Sequence, residues 1–169
     1  MDGEDQQGGD GGGAPAVEIE PGPVLVSACL AGRACAYDGD HRATRRVLEL
    51  VREGRAVPVC PEHEGGLGIP RPAAEIMGGS GEDVLDGRAP VVTIGGADVT
   101  GAYVAGARIA VERAAAHGCK TAILKARSPS CGCGRIFDGS FTRTPRAGNG
   151  VAAAALLRAG LRVLTDEDL

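Results

Sequence analysis

The sequence predicts an α/β domain with a mostly parallel sheet flanked by helices, and three observations support this fold class. Short apolar runs recur along the chain, helical patterns separate them, and most of the connections are short. Strands that alternate with helices in this way form a parallel sheet, because each crossover helix packs on a face of the sheet. We therefore expect a Rossmann-like domain.

Each strand is predicted from a short apolar run. The runs are VLVSA (24–28), AVPV (56–59), APVVTI (89–94), KTAILKA (120–126) and LRVL (161–164). Proline has no backbone N–H to donate, so Pro58 predicts an edge position or a bulge for the second run. The fourth run is apolar enough to be buried on both faces of the sheet.

Three stretches have apolar residues at helical spacing, namely residues 41–54, 98–118 and 150–160. In the second stretch Asp98 or Thr100 can cap the start, and Gly118 can end the helix. Residues 61–83 are rich in glycine and proline. Because so long a stretch is seldom an idle connection, it predicts a functional loop.

The first 22 residues differ in composition from the rest of the chain. They are rich in glycine and contain six acidic residues and no basic one, which predicts a disordered tail over residues 1–22 and a folded domain over 23–169. Without them the net charge changes from −4 to +2, with 18 basic and 16 acidic residues. This near-neutral domain has no basic stripe for nucleic acid.

No apolar stretch is long enough to span a membrane, and the chain does not start like a secretory signal. We expect a cytoplasmic protein that is a monomer or a small homo-oligomer. Six cysteines in such a protein argue against a disulfide framework, and no Cys-x-x-Cys pair suggests a zinc ribbon.

Three of the cysteines lie at or beyond the ends of predicted strands. Cys29 and Cys60 directly follow strands, and Cys131 lies a few residues beyond a third strand. Parallel strands bring their carboxyl ends to one edge of the sheet, where ligands bind. We expect these three thiols to converge. Cys119 starts a strand at the opposite edge, and Cys133 is left out of the site.

Three thiolates fit an iron–sulfur cluster with one iron open as a Lewis acid, but soft thiolates also suit zinc. Two further alternatives stay open on the sequence. The protein could bind metal or a cluster as a sensor or structural element, or it could be a thiol redox or sulfur-carrier protein using Cys131 and Cys133. A cysteine nucleophile would need a base, and His63 is the only histidine in a plausible loop.

Several phrases of the sequence together resemble the DUF523 family, which includes the TudS-type thiouracil desulfidases. In order along the chain they are VSACLAG, YDG, VPVCPE, PRPAAEI, DVTGAYVAGA, ILKARSPSCG, IFDGSF and GVAAA. The resemblance covers about Val24 to Leu164 and supplies nothing for the N-terminal tail.

The resemblance implies a [4Fe-4S] cluster held by three cysteines, with one iron open to the sulfur of the substrate. The implied ligands are Cys29, Cys60 and Cys131. The implied reaction is a hydrolytic, non-redox desulfidation in which water replaces the sulfur of a thiolated pyrimidine such as 2- or 4-thiouracil. In the same way Glu62 is implied as the acid/base carboxylate and Ser128 as an assisting hydroxyl.

Other polar residues near these motifs are candidates for substrate contacts: Asp38, Lys125, Arg127 and Ser130. Glu75 is a candidate partner for a nearby arginine such as Arg71, and Tyr37 and Phe137 are candidates to stack on a flat ring. The near-neutral domain favours a small thiolated nucleobase as substrate, with a thiolated base of tRNA as the alternative.

Overall fold

The computed structural model describes residues 17–169, and its strands alternate with helices along the chain. The strands are β1 (Val24–Ser27), β2 (Ala56–Val59), β3 (Ala74–Ile76), β4 (Val91–Thr93), β5 (Thr121–Leu124), β6 (Arg135–Phe137), β7 (Pro145–Ala147) and β8 (Arg162–Thr165). The helices are α1 (Arg45–Arg52), α2 (Pro61–Glu64), α3 (Gly81–Leu85), α4 (Thr100–His117) and α5 (Val151–Arg158). Short 3-10 turns follow β1 and β8.

Four of the strands form one parallel sheet in the order β2-β1-β5-β8. This sheet confirms the predicted α/β fold class. Every residue of β1 and β5 is buried, as expected for the two central strands. Pro58 lies on β2 and pairs with Val26 of β1. Because β2 is an edge strand, the edge position predicted from this proline is confirmed.

Helices cover both faces of the parallel sheet. Successive strand residues point to opposite faces, and Val24 and Val26 accordingly pack with Val47 and Leu50 of α1. On the other face the core is formed by residues of the central strands with α4 and α5, including Leu25, Ala110, Ala114, Ala122, Ala153 and Leu156. The alanines allow these two helices to lie close to the sheet and to each other.

Two small antiparallel ribbons, β3–β4 and β6–β7, lie outside the parallel sheet. The run APVVTI was predicted as a strand and contains β4, but this strand pairs with β3 and does not join the parallel sheet. Residues 61–83 were predicted as a loop and contain α2, β3 and the start of α3. These elements are three to five residues long, too short for a clear periodic pattern.

The longest helix, α4, ends as the sequence predicts, because Gly118 ends it in a left-handed conformation with φ of 68°. Its start differs from the prediction of Asp98 or Thr100 as the cap. The N-cap is Val99, without a side-chain cap hydrogen bond, and Asp98 Oδ1 accepts the backbone N–H of Thr100, the first helical residue, at 2.9 Å. Between residues 17 and 169, neither α4 nor any other helix combines the length and apolar character that a membrane span needs.

The segment that precedes β1 lies along the domain. Arg55 donates hydrogen bonds to the carbonyl oxygens of Glu20 and Gly22 at 2.6 and 2.9 Å, and Arg162 donates to that of Glu18 at 2.9 Å. Ile19 packs against the cluster that contains Leu50. The tail was predicted over residues 1–22. Residues 1–16 lie outside the described residues, and Glu18, Ile19, Glu20 and Gly22 contact the domain.

Candidate metal centre and active site

A cavity of about 630 Å³ lies at the carboxyl ends of β1, β2 and β5. One part of the lining, called the sheet wall, consists of the residues that follow these three strands. Another part, called the facing wall, comes from β3, from the end of β6 and from the loop that connects β6 to β7. The carboxyl edge of a parallel sheet is the usual place for a ligand site in α/β domains.

Cys29, Cys60 and Cys131 all line this cavity. Cys29 lies in the 3-10 turn after β1, and Cys60 directly precedes α2. Cys131 lies in the loop behind β5 and is buried. The strand ends therefore bring the three thiols to one cavity, as the sequence led us to expect, and metal binding by them stays a prediction.

Burial and mutual proximity keep two of these thiols protonated. Burial, reinforced by the nearby Cys60, raises the pKa of Cys29 to about 11. Burial raises the pKa of Cys131 to about 12, and the other two thiols add to this. A hydrogen bond with the Cys35 side chain instead lowers the pKa of Cys60. Three thiolates gathered in this cavity would need a cationic partner, which a soft metal supplies.

The chemistry of the donor set fits an iron–sulfur cluster, because cysteine thiolates are the usual ligands of such clusters. Zinc also accepts thiolate ligands. Among residues 17–169, no group of three histidine, cysteine, aspartate or glutamate side chains is arranged to hold one metal ion. The zinc alternative stays open.

Glu62 in α2 is half-buried and held at both carboxylate oxygens. The Tyr103 hydroxyl donates to Oε1 at 3.0 Å, and Arg71 Nε donates to Oε2 at 2.8 Å. Arg71 also forms an ion pair with this oxygen, with Nη2 at 2.6 Å, and the side chains of Glu62 and Arg71 are only 13% and 7% exposed. Charge-assisted hydrogen bonding of this kind fixes the orientation of the carboxylate. Burial and the nearby Glu62 raise the pKa of Tyr103, which keeps its hydroxyl a donor.

Two glycines bring α2 against α4 and so place Glu62 beside Tyr103. A Cβ on Gly106 would lie 2.0 Å from the Pro61 carbonyl oxygen, and a Cβ on Gly65 would lie 2.1 Å from that of Ala102. No side chain fits at either position, so the backbones of the two helices are in contact. This contact positions Cys60, which directly precedes α2, and Glu62, which is the second residue of α2.

The Ser128 hydroxyl organises the loop that carries Cys131. Its oxygen accepts the backbone N–H groups of Ser130 and Cys131 at 3.1 and 3.0 Å, and Ser128 also lines the cavity. Because the oxygen acts as acceptor in both bonds, its own proton remains free to be donated. Ser130 is buried and does not line the cavity, so the structure does not bring it to the predicted substrate contact.

The other predicted substrate contacts, Asp38, Lys125 and Arg127, line the cavity, and each forms an ion pair. Their partners are Arg42 at 2.7 Å, Asp166 at 3.1 Å, and Glu167. Their charges are therefore balanced within the protein.

Sequence reasoning missed several residues of the cavity: Cys35, Arg42, Tyr103, Phe141 and Arg143. Tyr103 and Phe141 are two of only four aromatic residues in the chain, and this rarity was the available signal. The predicted stacking candidates Tyr37 and Phe137 also line the cavity. Arg143 places its guanidinium 5.8 Å from the centre of the Phe137 ring.

Cys119, Cys133 and His63 do not line the cavity. Cys133 packs against the core, with its sulfur 4.0 Å from the Val163 carbonyl oxygen, and Cys119 is buried at the start of β5. A dithiol mechanism of Cys131 with Cys133 is disfavoured because only Cys131 lines the cavity. His63 bonds the Leu67 carbonyl at 2.8 Å and does not line the cavity, which disfavours it as the base of a cysteine nucleophile.

Comparison with known proteins identifies the family. The sequence model of the 2-thiouracil desulfurase family matches residues 24–168. The chain belongs to this family. The resemblance to DUF523 is thereby confirmed, and the matched residues include all six cysteines.

Two relatives illustrate the family. The uncharacterized protein YbbK of Bacillus subtilis (strain 168) is 47% identical over 146 residues, which cover 86% of this chain and 97% of YbbK. A solved structure described as the [4Fe-4S]-dependent thiouracil desulfidase TudS is similar with a TM-score of 0.77 and 40% identity. That match covers 88% of this chain and 93% of TudS, and it supports the α/β fold.

Proposed function

We propose that this protein is a [4Fe-4S]-dependent desulfidase that replaces the sulfur of a thiolated pyrimidine with oxygen from water. The reaction converts C=S and H₂O to C=O and H₂S, so no external oxidant or reductant is needed. The match to the 2-thiouracil desulfurase family and the 40% identity to TudS support the activity. Thiouracil, as the 2- or 4-thio isomer, is the substrate class that we propose.

The observation that carries the proposal is the joint presence of three thiols and one half-buried, oriented carboxylate in a single cavity. Cys29, Cys60 and Cys131 would hold the cluster through three of its irons. The bound cluster would supply an open, soft Lewis-acidic iron for the sulfur of the substrate, which makes the thiocarbonyl carbon a better electrophile. Glu62 lies two residues beyond Cys60 and lines the same cavity.

Glu62 is the proposed general base. Its carboxylate would take a proton from a water molecule while the water oxygen forms a bond to the thiocarbonyl carbon. The carbon–sulfur bond then breaks, and the departing sulfur takes the proton from Glu62 and the second proton of the water, which leaves C=O and H₂S. Two hydrogen bonds, from Arg71 to Oε2 and from Tyr103 to Oε1, occupy part of the carboxylate, and a carboxylate can accept about four. Acceptor positions therefore remain for water.

Ser128 is the proposed assisting hydroxyl. Its oxygen is engaged by the backbone of the Cys131 loop, so the hydroxyl proton is the part left for the substrate or the water. A donor fixed in this way stabilises charge that develops on the reacting group without reorganisation. The same two bonds connect the position of Ser128 to that of the ligand Cys131.

Anaerobic reconstitution followed by a turnover assay tests the proposal. The purified protein is incubated with iron and sulfide, its visible absorbance and iron content are measured, and 2-thiouracil and 4-thiouracil are then added separately. We expect a broad iron–sulfur absorbance, and uracil and sulfide released in equal amounts from at least one isomer. Protein that binds a cluster but converts neither isomer, or that binds zinc and no cluster, would contradict the proposal.

A further inference from the structure

Glu75 is a second carboxylate in the cavity, and the proposed reaction leaves it without a role. It belongs to β3, is 6% exposed and lines the cavity wall that faces the cysteines. Within residues 17–169 it forms no ion pair, although the sequence suggested an arginine partner, and Arg71 pairs with Glu62 instead. A buried carboxylate without a cation is costly unless hydrogen bonds satisfy it.

One oxygen of Glu75 holds the loop between β6 and β7. Oε1 accepts the backbone N–H groups of Gly139 and Phe141 at 2.9 and 3.1 Å. Oε2 accepts no hydrogen bond from the part of the chain that the structure describes. The carboxylate thus uses one oxygen for the protein and keeps the other as an acceptor in the wall of the cavity.

The loop that Glu75 holds is strained, and its strain is concentrated at the cavity. Phe141 and Arg143 have positive φ of 57° and 59°, a conformation that non-glycine residues rarely adopt. In residues 17–169, only Arg127 shares this feature among non-glycine residues, with φ of 62°. All three residues line the cavity. Strained backbone that clusters at one cavity is typical of a ligand-binding wall.

We propose that Glu75 determines specificity by accepting, at Oε2, a ring N–H next to the thiocarbonyl of the substrate. This inference rests on the proposed function and specifies how the same site recognises its substrate. A thiolated pyrimidine is a flat ring with an N–H beside its C=S group. Phe137 and Phe141 provide apolar surface for the ring in the same wall, and Glu75 provides the acceptor for the ring edge.

The variant Glu75→Gln separates the two roles of the side chain. The amide oxygen can still accept the N–H groups of Gly139 and Phe141, whereas the amide NH₂ that replaces Oε2 is a donor and cannot accept an N–H from the ring. Ser140→Ala is the matched control. Ser140 lies in the same loop and its hydroxyl contacts Asp138 and Thr142, but it does not line the cavity.

The experiment measures dissociation constants by calorimetry on anaerobic, cluster-loaded protein. The ligands are 2-thiouracil, 1-methyl-2-thiouracil and 3-methyl-2-thiouracil. We expect the wild type to bind 2-thiouracil more tightly than at least one methylated analogue by roughly ten- to hundredfold, the effect of a hydrogen bond to a charged group. Glu75→Gln should weaken 2-thiouracil binding by a similar factor and lose this discrimination, whereas Ser140→Ala should keep it.

Discrimination that is unchanged in Glu75→Gln would overturn the inference, even if the wild type releases uracil and the proposed function stands. Discrimination that disappears in Glu75→Gln while the wild type releases no uracil would support the inference and remove the desulfidase function. If Glu75→Gln does not fold or does not bind the cluster, the affinities of the wild type test the inference alone. Equal affinity of the wild type for 2-thiouracil and both methylated analogues would contradict an N–H contact.

Discussion

The two walls of the cavity are built in different ways. The wall at the ends of the parallel strands carries the three thiols and Glu62, whose carboxylate is paired with side chains, Arg71 and Tyr103. The facing wall carries Glu75, whose carboxylate accepts two backbone N–H groups of a loop with left-handed residues and, within residues 17–169, no side-chain donor. The difference suggests that the rigid sheet holds the reactive groups and the added ribbons recognise the substrate.

The largest effect is expected from removing a sulfur of the sheet wall. In Cys131→Ala the cavity loses one of three donors, so the protein should retain no stable cluster and show no turnover. Cys133→Ser is the matched control, because this thiol lies two residues away and packs against the core. Visible absorbance and iron content after reconstitution provide the measurement. Equal loss in both variants would support the dithiol alternative.

The next largest effect is expected from the carboxylate of the same wall. Glu62→Gln removes the proposed base but keeps the shape of the side chain, so kcat should fall by roughly 10²- to 10⁴-fold. The cluster content should stay at the wild-type level, since Glu62 is not a predicted ligand. Single-turnover assays with equal amounts of loaded protein measure this. A kcat within a few-fold of the wild type would exclude Glu62 as the base.

A smaller effect is expected from the hydroxyl that orients this base. Tyr103→Phe removes the 3.0 Å hydrogen bond to Glu62 Oε1 and keeps the buried ring. We expect kcat to fall by roughly tenfold and KM to stay nearly constant, because the lost hydrogen bond is to the charged base and orients it. Steady-state kinetics separate the two constants. A rise in KM with unchanged kcat would instead place the hydroxyl in substrate binding.

The contact between α2 and α4 connects the sheet wall to the stability of the domain. In Gly106→Ala the new Cβ would lie 2.0 Å from the Pro61 carbonyl oxygen, so unfolding should become easier by about 1–3 kcal/mol. Gly101→Ala in the same helix meets no atom within 4 Å and should stabilise the protein by up to about 1 kcal/mol. Denaturant unfolding of both variants tests this. A neutral Gly106→Ala would show that the helices can separate freely.

The smallest effect is expected in the facing wall. Phe141→Gly relieves the left-handed strain of about 1 kcal/mol but removes an aromatic side chain from the cavity. The free energy of unfolding should therefore change little, while the affinity for 2-thiouracil should fall by a few-fold. Thermal unfolding and calorimetry measure the two quantities. An unchanged affinity would indicate that this wall does not contact the ring.

The sheet wall could be predicted from the sequence, and the reasons are physical. Strands β1, β2 and β5 are continuous apolar runs, and the residues after them must lie at one edge of a parallel sheet. This places Cys29 and Cys60 without any knowledge of the packing. The position of Cys131 follows from the same argument, although a few loop residues separate it from the end of β5.

The facing wall could not be predicted in the same way. Its strands β3, β6 and β7 have three residues each, too few for a periodic pattern. The role of Glu75 depends on a loop more than 60 residues further along the chain. Ser130 was predicted as a substrate contact from its place beside Cys131 in the sequence, and the structure places it among buried residues that do not line the cavity.

Turnover in ¹⁸O-labelled water is the most direct test of the central claim that water replaces sulfur in this cavity. Loaded wild-type protein is incubated anaerobically with thiouracil and no added oxidant or reductant, and the uracil is analysed by mass spectrometry. The account predicts that each uracil formed contains a single ¹⁸O atom and that sulfide appears in equal amount. Unlabelled uracil, or a reaction that proceeds only with an added redox reagent, would contradict it.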